Sequence, residues 1–184
     1  MSHIEKVENF IQHNLEQTVF YIKENMKNHT SFKTGGSADL LIEPGDIGEL
    51  QTLVKYLVQE NIPYIIIGKG CNTIVSDNGI RQAVIKIGSN LSKCTVAGEI
   101  LEAQAGASLK DVTDEAQRNG LTGFEFASGI PGTIGGAVFM NAGAFGGEIK
   151  DILQEILVLT EDGELVSRNI NELNLGYRQS VMQT

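Results

Sequence analysis

Positive charge is scarce in these 184 residues: Lys and Arg number 14 against 23 Asp and Glu, a formal net charge of −9. Phosphate backbones are bound by clustered Lys and Arg, and no such cluster is present, so a broad nucleic-acid surface is excluded. An anion bound here must be held by local geometry. Cysteine is sparse too. Cys71 and Cys94 stand far apart with no CxxC or CxxH spacing, which excludes a zinc ribbon or a disulfide framework and leaves two free thiols. His3, His13 and His29 have no partner at catalytic spacing, so none is assigned a metal or base role and no metal site is expected. The 3 prolines form no rigid linker. The longest apolar run is too short to span a bilayer, and the start, MSHIEKVENF, lacks the basic flank and apolar segment of a secretory signal. A cytoplasmic protein with no membrane partner is the expectation. Oligomeric state stays open, a monomer being favoured.

With 41% hydrophobic residues, the chain can bury one good core or two small ones. Ile4, Val7, Phe10, Ile11 and Leu15 recur at helical spacing and predict an opening amphipathic helix. Thr34-Gly35-Gly36 breaks the pattern before a strand over 38–42, ended by Pro44-Gly45. Asp46 and Glu49 form a capping-box pattern for a helix reaching about Asn61, followed by YIII at 64–67 as a buried strand and AVIKI at 83–87 as another. From residue 93 the sequence predicts a hairpin around Gly98, a helix capped by Ser108 and stopped at Gly120, a hairpin turning at Asp162-Gly163, and a short helical segment begun by Asn169 and Glu172. Two units follow, 1–87 and 88–184, with no internal repeat.

Glycine is what the chain has in excess, and in one place. Nine of its 21 glycines fall within residues 120–147, beside Ile130, Ile134, Val138, Phe139 and Met140. Glycine forfeits packing and raises the entropy cost of ordering. Either turns with positive φ need it, or a ligand or second backbone presses on the main chain. The density favours a ligand: side-chain-free N–H groups form anion-holding concavities, and a helix starting near Thr133 would aim its positive end at the same place. A second loop, Gly68-Lys69-Gly70-Cys71-Asn72-Thr73, follows the YIII strand, where phosphate loops commonly lie. It fits neither the dinucleotide fingerprint, which wants Gly or Ala at Thr73, nor the Walker pattern, which wants Ser or Thr after Lys69. A GxGxN turn that hydrogen-bonds phosphate and a purely structural turn remain equally open. Arg178 in the Gly176-Tyr177-Arg178 loop is either a surface cation or a guanidinium clamp on a carboxylate.

FKTGGSAD, GKGCNTIVSD, FASGIPGTIGGAVFMNAGAFGGE and GYRQS, in that order from about Asn28 to Ser180, resemble the bacterial UDP-N-acetylenolpyruvoylglucosamine reductases. The resemblance implies an α+β, vanillyl-alcohol-oxidase (PCMH) type FAD-binding domain of two α+β subdomains with FAD between them. It implies cofactor contacts at Thr34, at Gly68, Lys69, Gly70, Cys71, Asn72 and Thr73, and at Ser128, Gly129, Ile130, Pro131, Gly132, Gly135, Gly136, Asn141 and Gly143. It also implies a reaction in which NADPH delivers hydride to the flavin and the flavin delivers it to the vinyl carbon of UDP-N-acetylglucosamine enolpyruvate, giving UDP-N-acetylmuramate for peptidoglycan synthesis. Hydride addition drives negative charge toward the substrate carboxylate, which needs a fixed cation and a proton donor. Arg178 matches the family's catalytic arginine.

The family's proton-donating serine, second catalytic glutamate and most UDP-sugar contacts belong to a C-terminal substrate-binding domain that this sequence does not contain, and the last sheet of the second unit is expected to lack a strand. The chain therefore reads as the FAD-binding part of a longer reductase, with full turnover not expected of it alone. Two alternatives stand beside this: another flavin oxidase of the same FAD-domain class, with Cys71 as the one candidate for a covalent tether, and a non-catalytic folded module that self-associates through an open strand edge.

Overall fold

The structure is a computed structural model and describes residues 2–183. Its elements are α1 (His3–Asn14), β1 (Val19–Asn25), β2 (Ser37–Glu43), α2 (Ile47–Gln59), β3 (Tyr64–Ile67), β4 (Ile80–Lys86), β5 (Cys94–Ala97), β6 (Ile100–Ala103), α3 (Leu109–Arg118), α4 (Ile134–Phe139), β7 (Gly143–Ala144), β8 (Gly147–Glu148), β9 (Glu155–Leu159) and β10 (Leu165–Asn169). They fall into two compact units. The first runs to Leu91 and includes Leu159–Glu164; the second comprises Ser92–Val158 and the residues from Leu165 on.

In the first unit four strands form one mixed sheet in the order β1-β2-β4-β3. β1 runs antiparallel to β2, whereas β2/β4 and β3/β4 are parallel pairs. The two central strands are buried on both faces, as short apolar runs in parallel pairs commonly are. Leu40, Ile42, Ala83 and Ile85 pack with Val7 and Ile11 of α1 and Leu53, Val54 and Leu57 of α2, while Leu41 and Val84 face the opposite way onto Met26, Ile67 and Val75. A register shift between Ala38 and Leu40 carries Ala38 into that second cluster, although strict alternation would put it with Leu40. Each buried Val, Leu, Ile or Met side chain in these clusters contributes about 1.5–3 kcal/mol relative to exposure.

Three expectations change here. Residues 19–25 form a strand that periodicity did not predict, because β1 is an edge strand with Val19, Tyr21 and Ile22 exposed. The YIII strand is not buried throughout: β3 is the other edge, Ile66 is 56% exposed, and Ile67 is its one buried residue. The capping box at α2 is only half formed. Asp46 accepts from the Glu49 N–H at 2.8 Å, but Glu49 turns away and accepts from the Gln17 N–H (2.9 Å) and the Thr18 hydroxyl (2.7 Å), tying down the chain between α1 and β1. A complete box does occur at α1, between Ser2 and Glu5.

The second unit contains the β5/β6 hairpin, turning at Gly98 with φ +62°, the β7/β8 and β9/β10 pairs, and the helices α3 and α4. Ser108 caps α3 by accepting from the Asp111 N–H at 3.0 Å. Gly120, at φ +68°, follows that helix as its stop. Leu109, Ala127, Ala137, Val138 and Ile149 form the core, flanked by Phe124 and Phe126 edge to face at 5.7 Å.

Candidate functional site

The Gly68–Thr73 loop is pinned at Gly70 and Cys71. The Ser31 N–H donates to the Gly70 carbonyl at 3.1 Å, and the Ser31 hydroxyl to Cys71 Sγ at 3.2 Å. Gly70 has φ +68°, and a Cβ there would lie 2.1 Å from the His29 carbonyl oxygen, so only glycine fits. Farther along, the Gly36 N–H donates to the Ser76 carbonyl at 2.9 Å, and a Cβ on Gly35 would strike Val75 at 2.6 Å. The Thr34-Gly35-Gly36 turn thus braces the far end of the same loop, with Thr34 itself exposed. What remains unspent is the donor side. The N–H groups of Lys69, Gly70, Cys71 and Asn72 meet no acceptor among the described residues, and the Lys69 ammonium has no ion-pair partner there. Four bare donors beside a free cation suit a diphosphate.

The glycine-rich segment of the second unit divides differently from the expectation. Gly120, Gly123, Gly132 and Gly146 have positive φ. A Cβ on Gly135 would meet Ala105 Cβ at 2.8 Å, on Gly143 the Gly147 carbonyl oxygen at 2.6 Å, and on Gly147 the Phe126 ring at 2.7 Å. Seven of the nine glycines therefore have a reason inside the fold. Gly129 and Gly136 do not: nothing lies within 4 Å of a Cβ on Gly129, and only Thr133 Oγ1, at 3.6 Å, near one on Gly136.

The start of α4 is likewise not the open anion site that the sequence suggested. The Ile134 N–H donates to the Ala107 carbonyl (2.9 Å), that of Gly135 to the Ala105 carbonyl (2.8 Å) and that of Gly136 to the Thr133 hydroxyl (3.4 Å). The helix is six residues long. Among the expected contacts Ser128, Gly129, Ile130, Pro131 and Gly132 remain at or near the surface, with the Gly129 N–H unbonded among the described residues. Asn141 is 3% exposed, and its side chain makes three hydrogen bonds within the unit, to Glu148, Gly176 and Lys150.

Arg178 lies in a tight turn closed by mutual Gly176 and Gln179 backbone hydrogen bonds of 3.0 and 3.2 Å. Its φ is +51° and its guanidinium sits 5.5 Å from the Tyr177 ring centroid. No carboxylate pairs with it among the described residues. Non-glycine residues in this backbone region carry a cost of about 1–3 kcal/mol and gather at functional sites. Burial pushes the Cys94 thiol up, aided by Glu115, which makes it a poor nucleophile. Among the described residues no group of three or more His, Cys, Asp or Glu is placed to hold a metal ion, and no helix is long and apolar enough to cross a membrane.

Residues 38–169 match the model of a family described as FAD binding domain. The chain belongs to that FAD-binding family. Curated relatives include the UDP-N-acetylenolpyruvoylglucosamine reductase of Caldanaerobacter subterraneus subsp. tengcongensis, 48% identical over 92% of this chain and 56% of the relative. The Streptococcus pneumoniae protein of the same name is 49% identical, with the same coverage of each chain. The chain thus spans about half the length of the curated relatives it matches. The crystal structure of the Thermus caldophilus reductase superposes with a TM-score of 0.73 at 33% identity, covering 89% of this chain and 56% of that one. Cholesterol oxidase from Brevibacterium sterolicum, at 14% identity and a TM-score of 0.62 over 85% of this chain and 34% of that one, shares the fold. The α+β vanillyl-alcohol-oxidase type expected from the sequence is the fold of this FAD-binding family member.

Proposed function

We propose that the chain is the FAD-holding part of an NADPH-dependent reductase that converts UDP-N-acetylglucosamine enolpyruvate to UDP-N-acetylmuramate, working in the cytoplasm on peptidoglycan precursors. The observation that carries the reading is the run of unspent N–H donors from Lys69 to Asn72 beside an unpaired ammonium, in a chain of the FAD-binding family. In this reading those donors hold the diphosphate, Gly68, Thr73 and Thr34 complete the loop's polar rim, and Gly129 with Ser128, Ile130, Pro131 and Gly132 offers a backbone with room beside it. Gly136 adds a second uncrowded position, while Gly135, Asn141 and Gly143 support the fold. When bound, FAD supplies the hydride relay between NADPH and the vinyl carbon. Arg178 holds the substrate carboxylate through its guanidinium fork and stabilises the charge that develops there.

Titration with FAD tests this directly. The expected result is a yellow protein whose flavin survives gel filtration, and whose unfolding free energy rises by about 2.7 kcal/mol at a hundredfold excess over Kd. Gly129→Val should weaken FAD binding at nearly unchanged stability. A folded chain that stays colourless overturns the proposal.

A further inference from the structure

We propose that Asn141 is a positioning residue for Arg178, acting by fixing the Gly176–Gln179 turn through the Gly176 carbonyl. The argument begins at the end of α4. The Asn141 N–H donates to the Val138 carbonyl at 3.1 Å and the Ala142 N–H to the Ala137 carbonyl at 2.8 Å, a Schellman ending with Asn141 in the left-handed region at φ +41°. Glycine fills that position at least backbone cost, and this segment uses glycine freely. An asparagine there needs work for its side chain, and it has three bonds' worth. Nδ2 donates to Glu148 Oε2 and to the Gly176 carbonyl, each at 3.0 Å, and Oδ1 accepts from the Lys150 N–H at 3.0 Å. Both N–H donors of this amide are thereby spent within the unit.

The bond to Gly176 is the informative one. That carbonyl also accepts from the Gln179 N–H, the bond that closes the turn, so Asn141 occupies its second lone pair. Ser180 Oγ donates to the Phe139 carbonyl at 2.6 Å, and Gln183 Nε2 to the Phe139 and Arg178 carbonyls at 3.0 and 3.2 Å. The turn is therefore fastened to the C-terminal end of α4 at several points. Arg178, with no carboxylate partner among the described residues, is aimed by its backbone and by the Tyr177 ring.

This role rests on the reading of Arg178 given above, and the test separates the two. In Asn141→Gly, which keeps the left-handed ending and deletes the side chain, exchange of the Gln179 amide should be about fivefold faster, the worth of one hydrogen bond. Amides of α3 should be unaffected. Asn141→Asp, which keeps the acceptor for Lys150 but cannot donate to Gly176 when ionised, should speed Gln179 in the same way and serves if the glycine variant fails to fold. In a full-length reductase of this family, either variant should lower the rate of substrate reduction about tenfold, in kcat more than in KM, and leave flavin reduction by NADPH at its usual rate. Unchanged Gln179 exchange, or faster exchange with kcat untouched, overturns the role of Asn141. Failure of this chain to bind FAD while Gln179 exchange responds overturns the proposed function instead.

Discussion

Gly70 and Gly129 look alike in the sequence and differ in what surrounds them. A Cβ on Gly70 would meet the backbone at 2.1 Å with φ already at +68°, so Gly70→Ala should cost roughly 2–4 kcal/mol in urea unfolding. Gly129→Ala adds a methyl into open space and should stay within about 0.5 kcal/mol of the parent in the same measurement. Glu148 offers a pH test. The Lys150 ammonium, and then the Asn141 amide, hold its carboxyl below the ordinary 4.5, so its folded value lies under its unfolded one. The stabilisation is complete above 4.5 and disappears as pH falls through the lowered folded value. Melting temperatures followed downward from neutral pH should therefore drop on the acid side, and drop less in Glu148→Gln.

At the scale of elements, what the sequence made legible was whatever has a local cause. The Asp46 and Ser108 caps, the Gly98 and Gly163 turns and the amphipathic faces of α1 and α2 all follow from neighbours in the chain. β1 and the exposure of β3 were not legible, because being an edge depends on which strands pair, and pairing is set by the whole sheet. The candidate site divided along the same line. The loop after β3 was visible as glycines after a strand, but its free donors are a matter of what the rest of the unit leaves unbonded. In the glycine-rich segment, density suggested a ligand where packing against Ala105, Gly147 and Phe126 accounts for three glycines and turn geometry for four. Glu49 carries the most consequential long-range bond that periodicity could not foresee. Glu49→Ala leaves the Gln17 N–H and the Thr18 hydroxyl without their acceptor and should cost about 1–3 kcal/mol, measured by denaturant unfolding.

Across the whole molecule, stability should be uneven. The first unit sets a four-stranded sheet between two apolar clusters, whereas the second relies on two-stranded pairs and a smaller core. Local opening follows buried contacts and strand pairing, so native-state hydrogen exchange should find the slowest amides in β2 and β4 and much faster ones in β5 and β6. Uniform protection across both units would contradict this. The division of the chain also bears on dissection. Because Leu159–Glu164 belongs to the first unit while the residues on either side of it belong to the second, the polypeptide passes from one unit to the other three times. No single protease nick or gene truncation releases either one whole; liberating them intact would take a rewired chain order, with those six residues grafted back onto the N-terminal half.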